Sequence, residues 1–282
     1  MSSLKHTSSG NYTTCCVGRP HTPEYRVYTQ QDGNIISPWH DIPLFTDAEQ
    51  RVLNMVVEIP RFSNAKFEIS RDERLNPIKQ DIKDGAVRFV KNVFPYKGYI
   101  WNYGALPQTW EDPHFKHLDI GHYGDNDPLD ACEIGTRVAY TGEVKQVKVL
   151  SIMCLVDGND TDWKVIVVDV KDAIAPKLND INDIELAFPG LLAATTDWFR
   201  VYKKPDGKPT NPLGLGGQFK DKHYAEGVVR ECSDAWKRLV SHQLDGGSIS
   251  LFQDEIITKS VTPQPLCEPS THGWFFYDRE KL

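Results

Sequence analysis

Apolar residues fall in short runs bounded by Gly, Pro or Asp, and this spacing predicts a strand-rich body. The runs are Leu53–Ile59, Ala65–Ile69, Ile100–Tyr103, Arg137–Ala139, Val144–Met153 and Trp163–Val168, mostly β-branched. Upstream, an alternating stretch begins at Tyr25–Val27, and Ile35–Pro43 reads as extended chain punctuated by proline. The period then changes. Leu191, Leu192, Thr195, Trp198 and Phe199 share one face of a helix opened by Pro189-Gly190, and Val228, Val229, Cys232, Trp236 and Leu239 form a second stripe. The aromatic bulk of these stripes reads as core packing rather than cofactor contact. Strands followed by helices make an α+β, mainly β, architecture built on a small barrel or sandwich. Beyond Ser241 the periodicity is lost among Pro263, Pro265 and Pro269, and Trp274-Phe275-Phe276-Tyr277 is too aromatic for a free tail. It is expected to dock on the body, or to serve a partner chain.

Composition narrows the picture. Neither a repeat nor a linker divides the 282 residues, so 21–282 read as one domain with its core at about 54–240. Residues 1–20 are rich in Ser and Thr, lack any acid and have no apolar face. A flexible tail is the expectation there, with an organellar signal left open. A net charge of -7 argues against gripping nucleic acid. No run of about eighteen apolar residues occurs, so no membrane helix is expected. Six cysteines without C-x-x-C spacing read as free thiols in a reducing compartment such as the cytoplasm.

Charge placement carries the chemistry. Asp125-Asn126-Asp127-Pro128-Leu129-Asp130 packs three carboxylates around a stiffening proline. If the stretch is extended, Asp125 and Asp127 share a face, and Asp130 rejoins it after the turn. Such repulsion suits a hard divalent cation, although a solvated acidic loop has the same composition. Asp157, Asp160 and Asp162 surround Gly158-Asn159, a hairpin turn that would hold acids at a barrel end. Neither segment has the glycine and terminal glutamate of an EF-hand loop. Lys66 and Glu68, two apart, project to one side of their strand, and Glu58 ends an apolar run just before Pro60. Lys66, Arg88, Lys164 and Lys203 are interleaved with these acids, a pattern that suits a phosphate substrate bound with its metals. Taken singly, each base reads as a surface residue. P-loop, nucleophile-elbow and H-E-x-x-H patterns are all absent. Gly214-Leu215-Gly216-Gly217 lacks the lysine of a phosphate loop and reads as a turn; His114, His117 and His122 read as a surface loop rather than a zinc site.

Asp125-Asn126-Asp127-Pro128-Leu129-Asp130-Ala131 resembles the D-x-D-P-x-D-x signature of the family I soluble inorganic pyrophosphatases. Val57-Glu58-Ile59-Pro60-Arg61, Ala65-Lys66-Phe67-Glu68, Gly98-Tyr99-Ile100-Trp101-Asn102-Tyr103-Gly104, Thr161-Asp162-Trp163-Lys164 and Pro205-Asp206-Gly207-Lys208-Pro209 resemble its eukaryotic branch. The matches run in order from about Tyr25 to Trp236. The resemblance implies a five-stranded OB-like barrel with peripheral helices, a homodimer, and several Mg²⁺ ions per site. It implies Asp125, Asp130 and Asp162 as ligands of the tightest metal, with Asp130 shared, and Asp157, Asp162 and Glu68 as ligands of further ions. It assigns Arg88, Lys203, Tyr202 and Tyr103 to the phosphates, and Lys66 and Lys164 to charge on the leaving and attacked groups. Asp127 would orient or deprotonate the attacking water, Glu58 would support the metal–water network, and Tyr99 would act as an acid. Departures are Phe62 where Trp is usual, Gly158-Asn159 in place of an acid-glycine pair, and the stretch Thr210–Gly217. The implied reaction is direct in-line attack on diphosphate by a metal-activated water. Two rivals remain: an OB-like binding module or scaffold, and a metal phosphatase acting on esters or nucleotides.

Overall fold

Leu53–Ile59 is buried at every position, as befits a strand covered on both faces. In the computed structural model, which describes residues 12–46, 49, 52–251 and 274–275, it pairs antiparallel with Asn102–Ala105 and with Val144–Asp157. Asn102–Ala105 pairs onward with Asp130–Glu133, which runs parallel to Asp160–Asp169. That strand returns antiparallel to Val144–Asp157, so five strands close on themselves. This is the expected OB-like barrel. Leu53, Met55 and Val57 serve one core and Val56 the other, as alternation requires; past the register shift opposite Tyr103 and Gly104, Ile59 joins the core of Val56. The strands approach so closely at Gly104 that a Cβ would lie 2.0 Å from the Val56 carbonyl oxygen. A register shift between Tyr103 and Gly104 accompanies this approach and aims Tyr103 at one barrel end.

A second sheet carries Tyr12–Val17, Arg26–Gln31, Ile78–Gln80 and Phe67–Ile69 in that order, with Asn34–Ile36 paired to Arg26–Gln31. The flexible tail expected over 1–20 is thus corrected in part. Tyr12–Val17 pairs in full register with Arg26–Gln31, and the hydrogen-bond ladder compensates for its weak apolar pattern. Residues 1–11 lie outside the described residues. The run at Ile100–Tyr103 is displaced to Asn102–Ala105, and Arg137–Ala139 is a loop. There Asn102 does what a strand partner would: its Nδ2 donates to the Arg137 carbonyl and its Oδ1 accepts from Ala139 N.

Helices α1 (Ile181–Ala187), α2 (Leu191–Val201) and α3 (Lys222–Val240) follow the barrel strands. Gly190, left-handed at φ +82°, opens α2, and Asp221 caps α3 by accepting from Tyr224 N. Thr195, Trp198 and Phe199 face the core from α2, with Leu191 and Leu192 packed against it. The Trp101 ring stacks on Phe199, and its Nε1 donates to Thr195 Oγ1. Val228, Val229, Cys232 and Leu239 are buried under α3, and Trp236, partly buried, donates to His40 Nδ1. Trp274–Phe275 adds a parallel pair to Asn92–Val93, so this part of the aromatic terminus docks within the chain. Phe276, Tyr277 and the prolines before them lie outside the described residues. The five described cysteines are free thiols. No described helix is long and apolar enough to cross a membrane.

Candidate active site

The barrel register brings the first acids and a base together. Lys164 stands opposite Asp130 on the neighbouring parallel strand, and Asp162, two residues earlier, shares its face. Lys164 Nζ donates to Asp130, to Asp162 and, at 2.9 Å, to the Tyr103 hydroxyl. Tyr103 in turn donates to Asp130 Oδ2 at 2.5 Å. Asp157 and Asp160 face each other at the hairpin end, where Gly158 takes the left-handed conformation at φ +67°. Asp160 points to solvent, while Asp157 meets Lys203 Nζ at 2.5 Å just beyond α2.

Asp125 and Asp127 do not share a face by simple alternation. Asn126 sits at φ +70°, and Asp127 N donates to Asp125 Oδ1 at 3.0 Å, so the segment is a tight turn. Trp110 Nε1 fixes the turn by donating to Asn126 Oδ1, and Arg71 Nε lies 3.2 Å from Asp127. From the second sheet, Lys66 pairs with Glu68 at 2.7 Å and with Asp81 at 3.5 Å; Asp81 also accepts from Arg88 at 2.9 Å. Glu58 is buried, and its Oε1 accepts from Ile69 N at 2.7 Å.

These segments enclose a polar cavity of about 140 Å³. Lys66, Arg88, Tyr99, Tyr103, Asp125, Asp127, Asp130, Asp157, Asp162, Lys164, Tyr202 and Lys203 line it, with Trp198 and Phe199 as its apolar wall. The acids, bases and tyrosines singled out from the sequence lie on this wall except Asp160, which points to solvent, Glu58, which is buried, and Glu68, which is held against Lys66. Of the three histidines, His114 and His122 contact the Asp245 and Asn159 carbonyls on the surface, while His117 N donates to the His122 carbonyl at 2.9 Å and its ring meets Trp163 edge-on. Leu215–Gly217 is a short turn whose neighbour Gly214 donates to the Cys154 carbonyl.

Burial dominates the electrostatics. It pushes Asp162 up to about 6, with Lys164 opposing and Asp130 adding repulsion. Burial and the neighbouring aspartates hold Asp125 well above the carboxylate range. Asp127 is raised to about 7 by burial, against the pull of Arg71. Its side chain remains 46% exposed at the cavity mouth, so solvent screens part of that effect. Glu58 is raised by burial and by Asp130. Burial works against the charge on Lys164, but Asp130 and Asp162 outweigh it and raise the ammonium pKa. Lys66 is raised likewise by Glu68 and Tyr99 against its own burial. Tyr99, Tyr103 and Tyr202 are kept as neutral phenols by burial.

Asp125, Asp162 and Glu111 each bring a carboxylate oxygen within 4.8 Å of the others. An all-oxygen set of mutually repelling, desolvated acids fits a hard divalent cation. Asp130 stands beside this triad, tied to Lys164 and Tyr103. Glu111, Asp81 and Arg71 are site residues that the motifs did not mark. Trp110-Glu111-Asp112-Pro113 offered one cue, an acid pair flanked by a large aromatic and a proline; the other two are isolated charges.

A family model described as inorganic pyrophosphatase matches residues 55–237. An inorganic pyrophosphatase of Emericella nidulans is 61% identical over 241 residues, 86% of this chain and 84% of that one. The structure of the Schistosoma japonicum inorganic pyrophosphatase superposes with a TM-score of 0.88 at 41% identity, covering 94% of this chain and 100% of that one. A truncated vacuolar soluble pyrophosphatase of Trypanosoma cruzi, in complex with PPi, gives a TM-score of 0.77 at 40% identity over 86% of this chain and 97% of that one. With its barrel, its acidic cavity and these matches taken together, this chain belongs to the inorganic pyrophosphatase family.

Proposed function

We propose that the chain hydrolyses inorganic diphosphate to two phosphates with Mg²⁺, by direct attack of water. The observation that carries this reading is the single cavity where Asp125, Asp127, Asp130 and Asp162 meet Lys66, Arg88, Lys164 and Lys203. Asp125, Asp130 and Asp162 would hold the first ion, with Asp157 and Glu68 serving others. Mg²⁺ bound there neutralises substrate charge and acidifies water. Arg88, whose buried Nε has no partner among the described residues, binds phosphate oxygens together with Lys203, Tyr202 and Tyr103. Lys66 and Lys164, held cationic by their carboxylate neighbours, stabilise charge on the leaving and attacked groups. Asp127 sits at the mouth with a pKa of about 7, so near neutral pH it can accept a proton from the attacking water. Tyr99, a buried neutral phenol, can donate one, and Glu58 braces the floor through Ile69 N. No phosphoenzyme is expected during turnover.

A homodimer in the cytoplasm completes the reading. Phe62, 52% exposed in the Pro-Arg-Phe turn, offers apolar surface to such a partner, and the five described thiols are free, as a reducing compartment requires. Light scattering of the purified protein and cell fractionation test these two statements. The functional test is phosphate release from diphosphate with Mg²⁺, with EDTA, and with Asp130→Asn. Mg²⁺-dependent release lost in the other two samples supports the enzyme; no release from folded protein with any divalent metal returns the scaffold reading. Release from esters or nucleotides at comparable rates would favour the general phosphatase.

A further inference from the structure

Glu111 is a buried acid to which the reading above gives no task. Its backbone is laced to the aspartate turn: Glu111 N donates to the Asp127 carbonyl and Asn126 N to the Glu111 carbonyl, both at 2.9 Å. Its side chain is laced to the opposite segment, where Oε1 accepts from Trp163 N at 3.1 Å, between Asp162 and Lys164. The residue is 3% exposed, yet Oε2 has no hydrogen-bond partner among the described residues. No ion pair of the described residues includes it. Behind it lies a separate cavity of about 120 Å³ with Trp110, Phe115 and Trp163 in its walls, and in front a carboxylate oxygen of Glu111 lies within 4.8 Å of those of Asp125 and Asp162.

A carboxylate taken out of water without a counter-charge is strongly destabilising, and a glutamine of the same shape would accept the Trp163 N–H equally well. Placing an ionisable acid there, with one oxygen unmet, therefore has a use that the described protein groups do not satisfy. We propose that Glu111 is a further ligand of the cation held by Asp125 and Asp162, with Oε2 as its free donor oxygen. This rests on the metal-dependent reading of the site and adds to it a residue outside the signature motif. Two backbone bonds fix the residue and the bond from Trp163 N fixes its side chain, so the cation meets an oxygen that needs little ordering. One more carboxylate also raises the charge count that sets divalent-cation affinity.

The test uses the full chain and the metal alone. Mn²⁺ binding is followed by electron paramagnetic resonance and Mg²⁺ binding by calorimetry, in wild type and Glu111→Gln, with thermal unfolding of each in EDTA. Glu111→Gln is expected to weaken the tightest site roughly 10- to 100-fold, while the metal-free variant is about as stable as wild type because glutamine keeps the bond from Trp163 N. Unchanged affinity overturns the inference, and unchanged affinity with lower metal-free stability makes Glu111 a brace. Should Glu111→Gln fail to fold, Glu111→Asp keeps the charge but retracts it by one methylene. Weaker binding then supports the inference, and wild-type binding overturns it. Wild type that binds no divalent metal and releases no phosphate removes the functional reading itself; wild-type binding with an unaffected variant removes only the role of Glu111.

Discussion

The parallel strands Asp130–Glu133 and Asp160–Asp169 carry a lysine–carboxylate network at each end, and the two networks are built differently. At the far end Lys145 Nζ lies 2.9 Å from Asp169 and 3.5 Å from Glu133. Glu133 Oε1 accepts from Gly135 N and Asp169 N, its Oε2 from Asn102 Nδ2, and Asp169 Oδ1 accepts from Lys171 N. Every carboxylate oxygen there has a donor. At the near end Lys164 joins Asp130 and Asp162 in the same way, but Asp125, Asp127, Glu58 and Glu111 crowd in as well, and Glu111 Oε2 has no partner among the described residues. A satisfied network holds a barrel closed. A network with surplus acid has stability left unrealised until a cation or substrate arrives.

The contrast can be broken by substitution. Asp127→Asn is expected to lower kcat by about 10²- to 10⁴-fold with the unfolding midpoint little changed, as phosphate release and thermal melting would show. At the far end the effects invert: Lys145→Met takes the buried ammonium from Glu133 and Asp169 and should destabilise the fold by about 3–5 kcal/mol in denaturant titrations. Folded Lys145→Met should keep near-wild-type turnover, and a large loss of kcat there would mean the two ends are coupled. The pH dependence of the metal-free protein sharpens the comparison. Asp162 moves from 3.8 to about 6 on folding, so the native state binds more protons than the unfolded chain between those values. Stability is then highest below about pH 4 as far as this group is concerned and falls by roughly 2–3 kcal/mol as pH rises through 6. Mg²⁺ should restore it increasingly over the same range, and denaturant midpoints that rise with pH in EDTA would contradict this. The smallest effect is expected at the rim, where Lys203→Gln removes a base 2.5 Å from the half-exposed Asp157. It should raise KM for diphosphate about tenfold and leave stability within about 0.5 kcal/mol.

The near-end network was the more legible of the two in the sequence. Asp125, Asp127 and Asp130 lie within six positions, and local crowding of like charge is visible without a fold. Asp157 and Asp162 could be placed because a Gly-Asn pair between two apolar runs marks a hairpin. Glu111, Asp81 and Arg71 could not, since each is a single charge whose partners come from distant segments: Trp163, Lys66 and Arg88, and Asp127. Lys145, Glu133 and Asp169 left no trace for the same reason. Among the strands, long runs such as Val144–Met153 were placed well, whereas Arg137–Ala139 failed because a side chain, Asn102, took over the hydrogen bonding of a strand partner. Tyr12–Val17 failed in the opposite sense, as ladder bonds to Arg26–Gln31 made a strand of polar sequence.

By itself the sequence determined the strand-then-helix order, the two helix faces, the aspartate cluster and the family to which its ordered motifs point. Those properties rest on local spacing, which the period of a strand or helix converts directly into direction. Tertiary structure decided which acids are surplus. Whether a carboxylate ends as Asp169, satisfied on both oxygens, or as Glu111, with one oxygen free, depends on donors brought in from other segments and on how much water is excluded. Both are properties of the closed barrel, and neither is written in the spacing of the residues along the chain.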